Sequence, residues 1–101
     1  MFGKLAEAQK KAEEVKNRLA AITVEGQGAN GKVKVLVDGN RKIKKIDIAA
    51  ELLDPQRKEE LEDIILIAVE NAMEQAENVS QSEMQNLMST MMPGLGGMFG
   101  K

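Results

Sequence analysis

The sequence predicts an α+β protomer ordered α-β-β-β-α, with a three-stranded antiparallel sheet between long N- and C-terminal helices. Three observations carry this expectation. Apolar residues from Leu5 to Ile22 recur at alternating steps of three and four, the spacing of a helical seam. From Lys32 to Asp38 apolar and polar residues alternate, the period of a strand. After Asp54-Pro55 the helical period returns and runs toward Pro93-Gly94, with a capping residue and proline at its start and breakers at its end.

The first helix is expected over 2–21. Its stripe is Leu5, Ala8, Ala12, Val15, Leu19 and Ile22, a coiled-coil-like seam. Ala, Glu, Lys and Gln fill the other faces and favour helix. Thr23 and Val24 bring β-branched residues, and a short strand is expected over 23–26. Gln27-Gly28-Ala29-Asn30-Gly31 reads as a loop by its turn-forming composition. Strands are expected over 32–38 and 41–48, joined by Gly39-Asn40 as a two-residue hairpin turn with positive φ at both positions. That turn would place Asp38 opposite Arg41, Leu36 opposite Ile43, Val33 opposite Ile46, and Lys34 opposite Lys45. The last is a like-charge pair. A second helix is expected over 55–92, with Asp54 as N-cap and Pro55 at the first helical position. Leu61, Ile64, Ile65, Ala68, Ala72, Ala76 and Val79 share one face. Ser80-Gln81-Ser82-Glu83 also fits a capping box, so a bend or restart there competes with one long helix. Residues 1–92 are expected to form one domain, and 93–101 a flexible Gly- and Met-rich tail.

Composition narrows the functions. The chain has 101 residues, no Cys and no His. Thiolate chemistry, disulfides and the side chain most used for proton transfer near neutral pH are therefore absent. No catalysis, metal or cofactor is expected. Trp and Tyr are absent and the two Phe stand at positions 2 and 99, so no central aromatic platform can stack bases. Glycines 26, 28 and 31 precede no Lys-Ser/Thr and do not form a phosphate loop. Glu59, Glu60, Glu62 and Asp63 suit the positive end of a helix dipole better than a metal. No apolar stretch is long enough for a membrane span, and the N-terminus lacks the core of a secretory signal. A cytoplasmic protein is expected.

Net charge is −2, yet it is unevenly spread. Residues 1–45 carry 11 Lys/Arg and 5 Asp/Glu, net +6, whereas 46–101 carry 3 and 11, net −8. Such asymmetry points to a basic surface beside an acidic one. The candidate phosphate contacts on the first helix are Lys4, Lys11 and Arg18, seven residues apart, with Lys10 and Lys16 on neighbouring faces. Glu7 and Glu14 could pair with Lys11 and Arg18 and merely support the helix. On the hairpin the candidates are Lys32, Lys34, Arg41, Lys42, Lys44 and Lys45, against Asp38 alone. They could bind phosphates or be neutralised by the acidic second helix. Leu5, Val15, Leu19, Leu61, Ile65, Ala68 and Ala72 are the expected core and dimer seam. A helix of about 37 residues spans about 55 Å, whereas strands of this size span about 17–24 Å. Part of its apolar face therefore needs the first helix, a second subunit, or both. Met84, Met88, Met91 and Met92 would pack near an arm end or offer an adaptable partner surface.

An ordered set of short motifs runs through the chain. It comprises Ala8-Gln9-Lys10, Val24-x-Gly26, Gly31-Lys32-Val33-Lys34-Val35, Asp38-Gly39, Ile46-Asp47-Ile48, Glu51-Leu52-Leu53, Leu61-Glu62-Asp63-Ile64, Ala68-Val69-Glu70-Asn71-Ala72 and Pro93-Gly94-Leu95 with Phe99. The sequence resembles the YbaB/EbfC family over nearly its whole length. The resemblance implies the same α-β-β-β-α protomer, a tweezer-like homodimer, association with the bacterial nucleoid, and double-stranded DNA binding of relaxed sequence preference by helical arms, without catalysis. It transfers no DNA-contacting residue individually. The expected function is that of a nucleoid-associated protein contributing to nucleoid organisation and gene regulation. The competing expectation is a dimeric adaptor for DNA-repair or recombination proteins, which would use the acidic half and the Met-rich end.

Overall fold

The computed structural model of the chain describes residues 2–91, and side chains for 3–90. Helix α1 (Phe2–Ala20) leads into strands β1 (Thr23–Gly28), β2 (Val33–Asp38) and β3 (Ile43–Ile48). Two 3-10 turns, Ala50–Leu52 and Pro55–Arg57, then precede helix α2 (Lys58–Met91). The sheet is antiparallel in the order β1-β2-β3. The α-β-β-β-α order is the expected one, with shifted bounds. β1 extends through Gly28, β2 and β3 begin at 33 and 43, and the second helix reaches α geometry at 58 instead of 55. The expected tail and Met92 lie outside the described residues.

Asp54 caps as expected: its carboxylate accepts the Gln56 N–H at 3.0 Å, with Pro55 next in line. From there α2 passes through Ser80–Glu83 without a break for 34 residues, about 51 Å at 1.5 Å per residue. The chain measures 62 × 32 × 17 Å with a radius of gyration of 18.7 Å. A compact domain of this length has about 13 Å, so the far part of α2 projects as an arm.

The core forms where α2 crosses β1 and β2. Val33, Val35 and Val37 are fully buried against Ala68, Ala72 and Ala76. Gly26 and Gly28 lie opposite Val35 and Val33 on the same sheet face. With alanine on the helix and glycine on the strand, the two backbones come into contact. Along the outer edge of β1, Asn71 donates its amide to the Gln27 carbonyl at 3.0 Å and Gln75 to the Glu25 carbonyl at 2.7 Å. An open strand edge invites pairing with other chains, and α2 occupies the acceptors of this one.

α1 is covered only toward its end. Val15 and Leu19 are buried, whereas Leu5 is 60% exposed, so the expected seam does not bury its first member in the protomer. α1 and α2 run antiparallel, with Arg18 meeting Glu83 at 2.9 Å and Lys11 lining the same groove as Thr90. In α2, Leu61 and Ile65 are half-buried beside Ala68 and Ala72. Met84 and Met88, near the arm end, are 46% and 53% exposed.

The hairpin corrects the expected register. Positive φ falls on Arg41 (φ 67°) and not on Gly39 or Asn40. The Arg41 N–H donates to the Asp38 carbonyl, and the Asp38 N–H to the Lys42 carbonyl, both at 2.9 Å. The loop is thus three residues, Gly39-Asn40-Arg41, ending in a left-handed residue. A further irregularity at Leu36/Val37 leaves Lys44 unmatched. Together they move the pairing by two positions. Val33 faces Ile48, Val35 faces Ile46, Leu36 faces Lys45, and Lys34 faces Asp47. The expected Lys34–Lys45 repulsion is replaced by an opposite-charge neighbour, and the expected Asp38–Arg41 cross-strand pair does not form. A two-residue shift preserves the faces, so the valines still point into the core.

Candidate nucleic-acid interface

The hairpin tip is fastened to the last turn of α1. The Gly39 N–H reaches the Leu19 carbonyl at 2.9 Å and the Ile22 carbonyl at 3.0 Å. Any Cβ at Gly39 would lie 2.8 Å from the Leu19 carbonyl oxygen and 2.9 Å from its Cβ, which explains glycine at a position with no positive φ. The Asn40 amide donates to the Lys16 carbonyl at 3.0 Å. Asp38, only 2% exposed, braces the tip from beneath. Its Oδ1 accepts the Asn40 and Lys42 N–H groups at 2.8 and 3.0 Å, and its Oδ2 stands 3.8 Å from the Lys44 ammonium.

This docking gathers cations that are far apart in sequence. Lys16, Arg41, Lys42 and Lys44 line one open depression with Asn17, Ala20, Asp38 and Asn40. Four positive charges there meet one carboxylate, and that carboxylate is buried. Lys16, Arg41 and Lys42 make no ion pair among the described residues. Opposite-sign residues on α2 do not neutralise the tip.

The other candidates divide. Lys4 and Lys10 are exposed along α1, and Lys11 is half-exposed. Neither Glu7–Lys11 nor Glu14–Arg18 closes as an ion pair; Arg18 instead ties α1 to Glu83. Lys32 binds Glu51 at 2.7 Å, and that hydrogen bond and charge hold the Glu51 carboxyl below its ordinary pKa. Lys34 and Lys45 lie on the sheet face away from α2, beside Asp47 and Glu25, where the charges alternate. The hairpin is therefore not one basic sheet. Lys34 and Lys45 stand apart on the sheet, opposite Asp47 and Leu36, whereas Arg41, Lys42 and Lys44 gather with Lys16 at the tip. Sequence reasoning missed the roles of Asn40 and Asp38 there, and of Asn71 and Gln75 on the strand edge. Asp38 followed by Gly39-Asn40 was the available signal, since aspartate readily accepts the backbone N–H two residues on.

Replacing Asp38 with alanine orphans two N–H groups next to the core. The expected loss is about 2 kcal/mol, read as a lower urea midpoint with an unchanged slope.

Among the described residues there is no cluster of three or more potential metal-ligating His, Cys, Asp or Glu side chains, and no helix is long and apolar enough to cross a membrane. The fold and its surface define a class: an α-β-β-β-α protomer with a projecting helical arm and a basic hairpin tip. The family model described as the YbaB/EbfC DNA-binding family matches residues 1–91. The chain belongs to that family, which is a DNA-binding and not an enzyme family. A nucleoid-associated protein of Flavobacterium johnsoniae is 38% identical over 98 residues, covering 97% of this chain and 91% of the relative. Nucleoid-associated proteins of Chloroflexus aurantiacus (34% over 91 residues, 90% and 87% covered) and Neisseria meningitidis serogroup C (34% over 110 residues, 98% and 99% covered) are also similar. An uncharacterized Helicobacter pylori protein shares the fold. Its TM-score is 0.68 at 17% identity, over 82% of this chain and 96% of that one.

Proposed function

We infer that the chain acts as a homodimer that holds double-stranded DNA through Lys/Arg–phosphate contacts with little sequence selectivity. It works in the bacterial nucleoid, contributing to chromosome organisation and gene regulation, without catalysis or a cofactor. The observation that carries this reading is the tip cluster of Lys16, Arg41, Lys42 and Lys44; Lys4, Lys10 and Lys11 add positive charge on other faces of α1. Cations left without acidic partners attract polyanions, and phosphate contacts position a duplex without reading its sequence. The nucleoid-associated relatives and the DNA-binding family support the same partner. The repair-protein adaptor reading requires the acidic half to cover these cations, and the tip is uncovered in the protomer.

The homodimer is supported by an apolar face left bare. Ile43 and Ile46 lie opposite Val37 and Val35 on the core side of the sheet, yet are 45% and 46% exposed because α2 crosses β1 and β2. At about 100° per residue, Ile65, Leu66, Val69 and Met73 fall on the flank of α2 turned away from Asn71 and Gln75, toward β3. Leu66 is 57% exposed. Residues 1–92 would form the domain that carries this face, and a second copy supplies matching apolar area.

Anisotropy titration of a labelled duplex at increasing salt tests the DNA reading. The log–log slope is expected near −0.9 per phosphate neutralised, so four contacts in each of two protomers give about −7. An affinity insensitive to salt overturns it.

A further inference from the structure

We propose that the depression between the last turn of α1 and the hairpin tip is a preformed phosphate-binding pocket, with Arg41 as its clamp. The proposal rests on the DNA-binding reading and locates a contact within it. Arg41 has φ of 67°, in the left-handed region where an L side chain is disfavoured and glycine or asparagine is at ease. The third loop position of such a hairpin ordinarily takes glycine. A long charged side chain held there is backbone strain of the kind that collects at binding sites.

The surroundings explain what the strained residue is placed to do. Three contacts fix the tip: Asp38 beneath it, the Gly39 N–H on the Leu19 and Ile22 carbonyls, and the Asn40 amide on the Lys16 carbonyl. The tip is therefore ordered before any ligand arrives. A helix C-terminus ordinarily repels anions through its free carbonyls. Here the Lys16 and Leu19 carbonyls already accept donors from the tip, which lowers that repulsion. Lys16, Lys42 and Lys44 line the same depression as point charges, and a guanidinium adds two parallel donors suited to a phosphate oxygen pair. Complementing the α1 dipole requires only Lys16 and Arg18 and gives no reason for an arginine in a glycine position. The ligand chemistry is a phosphate group, either a phosphodiester of the duplex or free inorganic phosphate. The duplex is the source that membership of a DNA-binding family favours.

The test compares the full chain with Arg41→Gly, Arg41→Asn and the charge-matched Lys58→Gln. Each is melted and titrated with a duplex across salt, and amide shifts are followed in inorganic phosphate. Both Arg41 variants are expected to melt no lower than the parent, and up to about 4 °C higher. They should bind duplex at least about tenfold more weakly at low salt, with the slope shallower by about 0.9 for each phosphate that Arg41 neutralises in the parent. Lys58→Gln should change affinity by less than about threefold, as a distant charge does. Arg41 variants that bind as tightly as the parent, while steep salt dependence persists, overturn the pocket and leave the DNA reading standing. A parent without salt-dependent binding overturns the DNA reading. In that case saturable phosphate shifts at Asn40–Lys42 keep the pocket as a free-phosphate site, and their absence overturns it too.

Discussion

Gly26→Ala is expected to unfold the protein or come close to it, an effect far beyond that of a typical added methyl. An alanine Cβ there would lie 2.2 Å from the Ala68 carbonyl oxygen, 2.3 Å from the Ala72 nitrogen and 2.8 Å from its Cα. Each obstacle is helix backbone, which cannot swing aside as a side chain does. Overpacking against side chains costs about 1–3 kcal/mol. Relief here requires lifting α2 from β1, which would loosen the seal of Ala68, Ala72 and Ala76 over Val33, Val35 and Val37 and pull Asn71 and Gln75 from the strand edge. A loss of at least about 4 kcal/mol is expected, against a total of about 5–15 for a small domain. That predicts a melting temperature at least about 16 °C lower, or no cooperative transition, by far-ultraviolet circular dichroism. A variant melting within a few degrees of the parent would show that α2 does not rest on β1 at this point. Gly28→Ala is the internal comparison. Its Cβ meets one helix backbone atom, the Ile64 carbonyl oxygen, at 2.7 Å, and the Ile64 Cγ2 at 2.9 Å, so the loss should be smaller.

The contrast between these contacts and the hairpin shows which features a linear sequence exposes. The order of elements follows from local signals: the three-four spacing before Ile22, the alternation through Val33, Val35 and Val37, and the Asp54-Pro55 start. Those signals depend on residues a few positions apart, and the elements appear where they point. The pairing of β2 with β3 was not legible, because Gly39-Asn40 is a sound two-residue turn in isolation. What displaces the turn is largely tertiary: Gly39 pressed against Leu19 and Asn40 bonded to Lys16, with the Asp38 carboxylate gathering the Asn40 and Lys42 N–H groups as the local contribution. The same limit applies to the basic residues. Every cation of the tip cluster could be named from composition. That Lys16 joins Arg41, Lys42 and Lys44, while Lys32 and Arg18 turn to Glu51 and Glu83, depends on contacts between residues up to 65 positions apart.

Replacing Ile43 and Ile46 together with glutamate is expected to convert the proposed homodimer to monomers while leaving the chain folded. Both side chains are already about half exposed in the protomer, and although Val37 and Val35 lose their cross-strand partners on β3, they keep Ala68, Ala72 and Ala76 above them. The residual apolar surface of each isoleucine is worth about 1 kcal/mol when buried. A two-fold interface uses the same patch from both copies, so two positions contribute about 4 kcal/mol, to which repulsion among four added carboxylates is added. The dimer dissociation constant should rise at least 100-fold, about 2.7 kcal/mol, and sedimentation equilibrium at micromolar concentration should give the protomer mass. DNA binding should weaken with it, because one protomer presents half the cations and the salt slope should fall toward half. If the variant sediments with the parent as a dimer, the two copies meet elsewhere. If the parent itself sediments as a monomer, the bare β3 face needs another occupant, and the DNA contact must be made by a single tip and a single arm.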